Sequence, residues 1–420
     1  MRSLVVPSPY KHRIELETLD DVKRRLADPG ATWNDVAIQN VDLTPVGEEL
    51  AKRPLSGCVF LGCALPPVLA ASAVAAGCLL LPSFPGLPFE PFRSSVYTAA
   101  DLYDKFDPDE PEESYRASRD SRIYRSYVDP AARSPYGCVP VELALARRIH
   151  DHSVSEALED FLERVKASSA FRGLVGVMGG HDMLRAEKAD EGAAADAPYL
   201  SVALLAHRLA GAGYVVLTGG GPGAMEAANL GAYLSTRSED ELRQAVRMLA
   251  PVPKIETGRG GAWVKLGFDV RERWPIDQDP SPLRQSVGIP TWFYGHEPPN
   301  VFATHIAKYF ENSLREEGLL SIATHGVIFA PGNAGTVQEI FQDAAQNYYK
   351  TYGHASPMVL LGKSYWNPDA DAGPEQRSKP AYPLLRQLAM EKDFTGLVLL
   401  TDDIREAEAF IRGFTPPQPD

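Results

Sequence analysis

From residue 171 onward, short apolar runs alternate with stretches of helical period. Gly173–Met178 (GLVGVM) reads as a buried strand that ends in Gly179-Gly180-His181. Leu200, Ala203, Leu204 and Leu209 share one helical face, which predicts a helix over 199–212 closed by Gly213. A strand over 214–217 runs into Thr218–Gly223 (TGGGPG) and a helix over 224–234. Residues 236–283 are polar and irregular, 286–293 reads as a strand, and 302–320 as a helix. At 327–330 an apolar β-former run is broken by Pro331, Gly332, Asn333 and Gly335. A helical face of Val337, Ile340, Phe341 and Ala344 follows. Strands over 358–361 and 397–400 and helices over 383–391 and 404–411 close the chain. Strands alternating with helices at this spacing predict an α/β fold, a Rossmann-like parallel sheet with helices on both faces and right-handed crossovers.

The first part of the chain is less regular. Leu19, Val22 and Leu26 have helical spacing, and 33–41 reads as a turn and a strand. Residues 57–82 carry no charge and are long enough to span a bilayer. Pro66, Pro67, Gly62 and Gly77 divide them, however, into strand, helix and strand, so a buried βαβ unit is expected. Residues 83–137 are rich in proline, tyrosine, arginine and acids, and 107–121 reads as an exposed loop with a frayed helix and solvated charges. Helical period returns over 139–165. The organisation expected is a smaller N-terminal α/β domain over 1–145 and a larger α/β domain over 146–420 that carries the glycine-rich turns.

Charge narrows the partners. The formal net charge is −13, which argues against nucleic acid or an anionic membrane surface as a partner. A small phosphorylated ligand needs only a local site and stays compatible. Cys58, Cys63, Cys78 and Cys138 form no CxxC pair and read as reduced core residues of a cytoplasmic protein; the N-terminal MRSLVVPSPYKHR has no signal-peptide apolar region. No metal cluster, GxxxxGK[ST] or GxGxxG followed by an acid stands out.

The candidate chemistry lies in the glycine-rich turns, all at carboxyl ends of predicted strands, where ligands bind in parallel sheets. Gly219, Gly220, Gly221 and Gly223 allow backbone to approach a ligand, although a tight turn alone would also use glycine. Gly332, Asn333, Ala334, Gly335 and Thr336 open a helix, and the amides and dipole there suit a phosphate. Glu339 stands one turn in, either to bind ribose hydroxyls and stabilise a cationic sugar or to complement the dipole. Glu226 has the same dipole alternative. Arg315 is either a clamp for phosphate or ribose or a surface partner of Glu311. Trp292-Phe293-Tyr294 can stack on a base or form a buried strand end. His305, Lys308 and His325 are lesser candidates.

PGNAGTVQE (residues 331–339) resembles the PGGxGTxxE signature of the LOG ("lonely guy") proteins, and TGGGPGAMEAANLGA resembles their second glycine motif. The turn Gly179-Gly180-His181, the run 221–225, Pro298-Pro299-Asn300 and His325-Gly326 are similar to motifs of the larger bacterial nucleotide 5′-monophosphate nucleosidases within that family. The resemblance covers residues 171–412. It implies hydrolysis of the N-glycosidic bond of nucleoside 5′-monophosphates without a cofactor, in a homodimer or larger homo-oligomer. It also implies substrate contacts from Gly179, Gly180, His181, Gly219, Gly220, Gly221, Gly223, Met225, Asn300 and residues 332–336, with Glu339 and an arginine as catalytic groups. Counting forward from Asn300 places that arginine at Arg315; counting back from the Pro-Gly turn places it at Glu316, and a one-residue insertion between them restores Arg315. Asn333 replaces the middle glycine of the signature, and Gln338 stands where many members have a glutamate. A non-catalytic nucleotide sensor, or a specialised nucleotide glycosidase or transferase, remains an alternative.

Overall fold

The computed structural model describes residues 14–128, 139–188, 196–256, 259–276, 284–293, 298–368 and 378–417. The chain forms two compact units, residues 1–94 with 140–153, and residues 95–139 with 154–420.

The first unit contains β1 (Ile14–Leu16), α1 (Leu19–Ala27), β2 (Val36–Gln39), α2 (Gly47–Leu50), β3 (Val59–Leu61), α3 (Pro67–Ala75) and β4 (Leu79–Leu81). The strands pair in parallel in that order. Thr18 starts α1 by accepting the Asp21 amide on its hydroxyl, and Val22 and Leu26 bury against Val36, Ile38 and Phe60. The charge-free stretch is β3, α3 and β4, with Pro67 at the first helical position. Among the described residues no helix is long and apolar enough to cross a membrane. Cys58 and Cys63 are free thiols whose Sγ atoms bond to the carbonyls of Trp33 (2.7 Å) and Ile38 (3.2 Å). Cys138 lies outside the described residues.

In the second unit come α4 (Ala99–Leu102), α5 (Pro111–Ala117), α6 (Arg119–Val128) and α7 (Val141–Lys166), the last counted here from residue 154. Next are β5 (Gly173–Met178), α8 (Pro198–Gly211), β6 (Tyr214–Thr218), α9 (Ala224–Tyr233), α10 (Glu239–Leu249), α11 (Gly261–Arg273), β7 (Ser286–Gly288) and β8 (His305–Ile306). The chain ends with α12 (Asn312–Ile322), β9 (Val327–Phe329), α13 (Ala334–Tyr349), β10 (Met358–Leu361), α14 (Lys363–Trp366), α15 (Tyr382–Glu391), β11 (Val398–Thr401) and α16 (Ile404–Arg412). The sheet is parallel throughout, in the order β11-β10-β9-β5-β6-β7-β8. Strands after β5 are laid down on one side of it and strands from β9 onward on the other. Right-handed crossovers therefore put the two sets of helices on opposite faces. The α/β parallel fold expected from the alternation is the fold observed.

Several local expectations are corrected. Residues 302–311 are not helical. The Asn300 Oδ1 accepts the amides of Phe302 and Ala303 (both 3.1 Å), and the chain then extends so that His305 and Ile306 pair with β7. Ile306 also exchanges backbone hydrogen bonds with Tyr97 (2.8 and 2.7 Å). The irregular span 236–283 holds two helices; α10 is started by a reciprocal capping box between Ser238 and Glu241. Only 286–288 of the strand expected over 286–293 is formed.

The segment 107–121 is helical over α5 and the start of α6, and its charge is not all solvated. Asp120 is 6% exposed; its Oδ1 accepts the Lys308 ammonium (2.6 Å) and the Trp292 indole N–H (2.9 Å). Together with Tyr97 and the Tyr103 hydroxyl, which donates to the Pro299 carbonyl (2.7 Å), this contact assigns 95–139 to the second unit rather than to an N-terminal domain ending at 145. Asp120→Ala would leave a buried ammonium without its carboxylate. It is expected to cost about 3–5 kcal/mol in chemical denaturation; a cost near zero would show that the pair is not needed.

Candidate functional site

The sheet order reverses between β5 and β9, which pair directly (Gly176 with Val327, Met178 with Phe329). At such a reversal the outgoing loops diverge and leave a crevice at the carboxyl ends. A cavity of about 420 Å³ lies there, lined from Met178 to His181 after β5, by Gly219 and Met225 after β6, by Asn333–Thr336, Gln338 and Glu339 after β9, and by Arg315 and Glu316 of α12. That volume is within the range of small-ligand pockets.

Three turns are locked together to form the floor. The Gly180 amide donates to the Pro331 carbonyl (2.9 Å), and the Ala224 amide donates to the Gly180 carbonyl (3.1 Å). Gly332 is sterically required: a Cβ there would lie 2.2 Å from the Thr336 Oγ1 and 2.8 Å from the Gly180 amide nitrogen. Gly223 has φ +69 and passes within 2.3 Å, at its would-be Cβ, of the Gly180 carbonyl.

Asn333 is the residue before α13, with φ −94 and no side-chain capping bond. Its backbone is extended, a conformation open to any residue, so the position does not demand the glycine of the signature. Its Nδ2 donates instead to the Asp182 Oδ2 (3.1 Å). The first amides of the 16-residue α13 therefore have no side-chain cap, and they head a helix dipole at the cavity wall.

Arg315 and Glu339 face one another across the cavity. Both are about nine-tenths buried, with Arg315 Nη1 to Glu339 Oε1 at 3.5 Å. The Arg315 Nε is buried and has no hydrogen-bond partner among the described residues. A Cβ on Gly219 would come within 2.6 Å of Arg315 Nη2, so the β6 turn leaves room for this guanidinium. Glu316, the other position that counting allowed for the arginine, also lines the cavity. Its carboxylate accepts from Gln338 Nε2 (2.9 Å) and Asn312 Nδ2 (2.7 Å).

The remaining candidates separate cleanly. Gly179, Gly180, His181, Gly219, Met225, Asn333, Ala334, Gly335, Thr336, Arg315 and Glu339 line the cavity; Gly220, Gly221, Gly223, Asn300 and Gly332 do not. Asn300 is fully buried and ties the turn, its Nδ2 donating to the Gly221 carbonyl (3.1 Å) and the Asn229 Oδ1 (2.8 Å). Glu226 is buried under a two-pronged contact from Arg185 and accepts from the Tyr199 hydroxyl (2.9 Å). Its place in the first turn of α9 is therefore structural. Trp292 is buried, four residues beyond the end of β7, and bonded to Asp120, and Tyr294 lies outside the described residues. His305 stacks on Phe161 (3.8 Å), and burial holds its pKa down to about 4; burial holds His325 down to about 4 as well. Sequence reading missed Asp182, Arg185 and Tyr365. Asp182 follows the Gly-Gly-His turn directly, the one signal that could have found it; Arg185 and Tyr365 reach their partners only through the fold.

No protein-family model and no curated protein matches the chain. Among solved structures it is similar to the molybdenum cofactor carrier protein of Chlamydomonas reinhardtii. One structure has 16% identity and TM-score 0.31 over 58% of this chain and 97% of that one. A second has 17% identity and TM-score 0.29 over 58% and 96%.

One turn beyond Glu339, Asp343 is buried, and no donor among the described residues reaches its Oδ2. Burial pushes its carboxyl up to about 8, from an ordinary 3.8. Between those values the folded chain keeps a proton that the unfolded chain releases. The group's contribution is therefore full below about pH 4 and is lost as pH rises through about 8. Asp343→Asn should flatten the fall in thermal midpoint between about pH 5 and 8. An unchanged slope in that variant would place the pH dependence elsewhere.

Proposed function

We propose that this chain is a LOG-like nucleotide nucleosidase, hydrolysing the N-glycosidic bond of nucleoside 5′-monophosphates to free base and ribose 5-phosphate. The observation that carries the reading is the pairing, in one cavity, of an uncapped helix start with the Arg315–Glu339 couple. The 5′-phosphate sits on the first amides of α13, where anions are favoured. Glu339 holds the ribose hydroxyls and stabilises positive charge developing at C1′, as carboxylates do in glycoside cleavage. Arg315 orients the phosphoribosyl part. The C1′–N bond breaks, water supplies hydroxyl to C1′, and its proton goes to the departing base. Phosphate binding, remote from the broken bond, places the reacting carbon. Under this reading the chain works in the cytoplasm as a homodimer or larger assembly, on a free nucleotide rather than on nucleic acid.

Incubation with AMP, GMP, IMP, CMP and UMP, followed by assay of free base and ribose 5-phosphate, tests the activity. Glu339→Ala is expected to lower base release by at least about a hundred-fold, the order lost with one transition-state electrostatic group, while the fold is kept. Undiminished activity in that variant would remove Glu339 from the mechanism. Nucleotide binding without any turnover by the unmodified chain would leave a nucleotide sensor in place of an enzyme.

A further inference from the structure

A second cleft, of about 330 Å³, opens on the other side of the same turn, and Asn333 lines both. Its walls are mainly apolar: Met183, Leu184, Ala197, Pro198, Pro331 and the ring of Tyr365. The Tyr365 hydroxyl donates to the Gly332 carbonyl (2.5 Å), which holds the ring against the turn. Leu184 is 50% exposed, so an apolar group entering the cleft would take aliphatic surface out of water. The polar members are Asp182, bonded to Asn333, and Lys188, whose ammonium meets the Asp196 carboxylate at 3.1 Å.

The position of this cleft relative to the phosphate cradle is what gives it meaning. Asn333 lines both cavities and precedes α13, so a phosphate on the first amides of that helix would lie at their border, with Glu339 in the first cavity and the apolar cleft as the neighbouring space. We propose that the cleft is a subsite for an ester group on that phosphate, so that the preferred ligand is a nucleoside 5′-phosphodiester bearing a flat apolar substituent. The inference rests on the nucleotide reading above and extends it to substrate class. Charge selects the diester over a diphosphate. The Asp182 carboxylate lines this cleft, and a second phosphate entering it would be repelled by that like charge. Lys188 is already engaged by Asp196. Asn333, the departure from the PGGxGT pattern, is thus the residue at the junction of the two cavities.

The test is calorimetric titration of the full chain carrying Glu339→Gln, which stops turnover but keeps a hydrogen-bonding group. AMP, its methyl ester, its phenyl ester and ADP are compared. The two esters have the same charge and differ only in what can fill the cleft. The phenyl ester is expected to bind at least about ten-fold tighter than the methyl ester, and ADP weaker than AMP. Adding Leu184→Glu, at an exposed wall position, should erase the phenyl advantage and leave AMP affinity unchanged. Equal affinity for the two esters, or a phenyl advantage that survives Leu184→Glu, would overturn the subsite, and ADP binding tighter than AMP would overturn the choice of a diester. Absence of base release by the unmodified chain sinks the nucleosidase reading alone, because the ester comparison is a binding measurement. Failure of all four compounds to bind overturns both.

Discussion

The candidate site depends on the parallel pairing of β5 with β9. These strands are far apart in sequence, and their register sets the carboxyl end of Met178 beside that of Phe329. The turns that follow are then close enough for the Gly180 amide to reach the Pro331 carbonyl. Gly332 tolerates no Cβ because the Thr336 hydroxyl and the approaching Gly180 amide leave no space for one. The start of α13, the cavity floor and the approach of Arg315 to Glu339 all follow from this junction. A sheet built in one direction only would have put the same glycine-rich turns along an edge without a crevice between them.

Electrostatics within the cavity are finely divided. Arg315 is a buried cation that shares the cavity with two carboxylates: Glu339, which it faces, and Glu316, which is held by amide donors. Amide donors satisfy Glu316 without neutralising it. The guanidinium therefore keeps Glu339 as its closest acidic partner in the cavity. In the proposed reading, a phosphate in the cavity would be balanced by the Arg315 guanidinium and by backbone amides, which suits a chain with a strongly acidic overall charge.

Buried polar contacts elsewhere do structural work that sequence reading had left open. Glu226 and Asn300 lie in or next to glycine-rich motifs, yet both are spent on holding those motifs in shape. Asp120 sits in a run that looks solvated, and it is the acceptor for a buried lysine and a tryptophan. Such assignments turn on partners distant in sequence, Arg185 for Glu226 and Lys308 for Asp120, and no local periodicity encodes them.

The alternation of apolar runs and amphipathic stretches was enough to establish a parallel α/β fold. Each element declares itself through period 2 or 3.6 and through the glycines and prolines at its ends. The βαβ unit at 57–82, the helices α8, α9 and α13 and the location of the glycine-rich turns at strand ends were legible for this reason. Residues 302–311 were not, because Asn300 caps and the pairing of Ile306 with Tyr97 override a helical pattern. Nor could the chain pattern alone choose between Arg315 and Glu316, assign 95–139 to its unit, or reveal the Asn333–Asp182 contact and the second cleft. Those depend on strand order and side-chain reach in three dimensions. Local sequence determines what each segment is, and tertiary packing decides which segments meet.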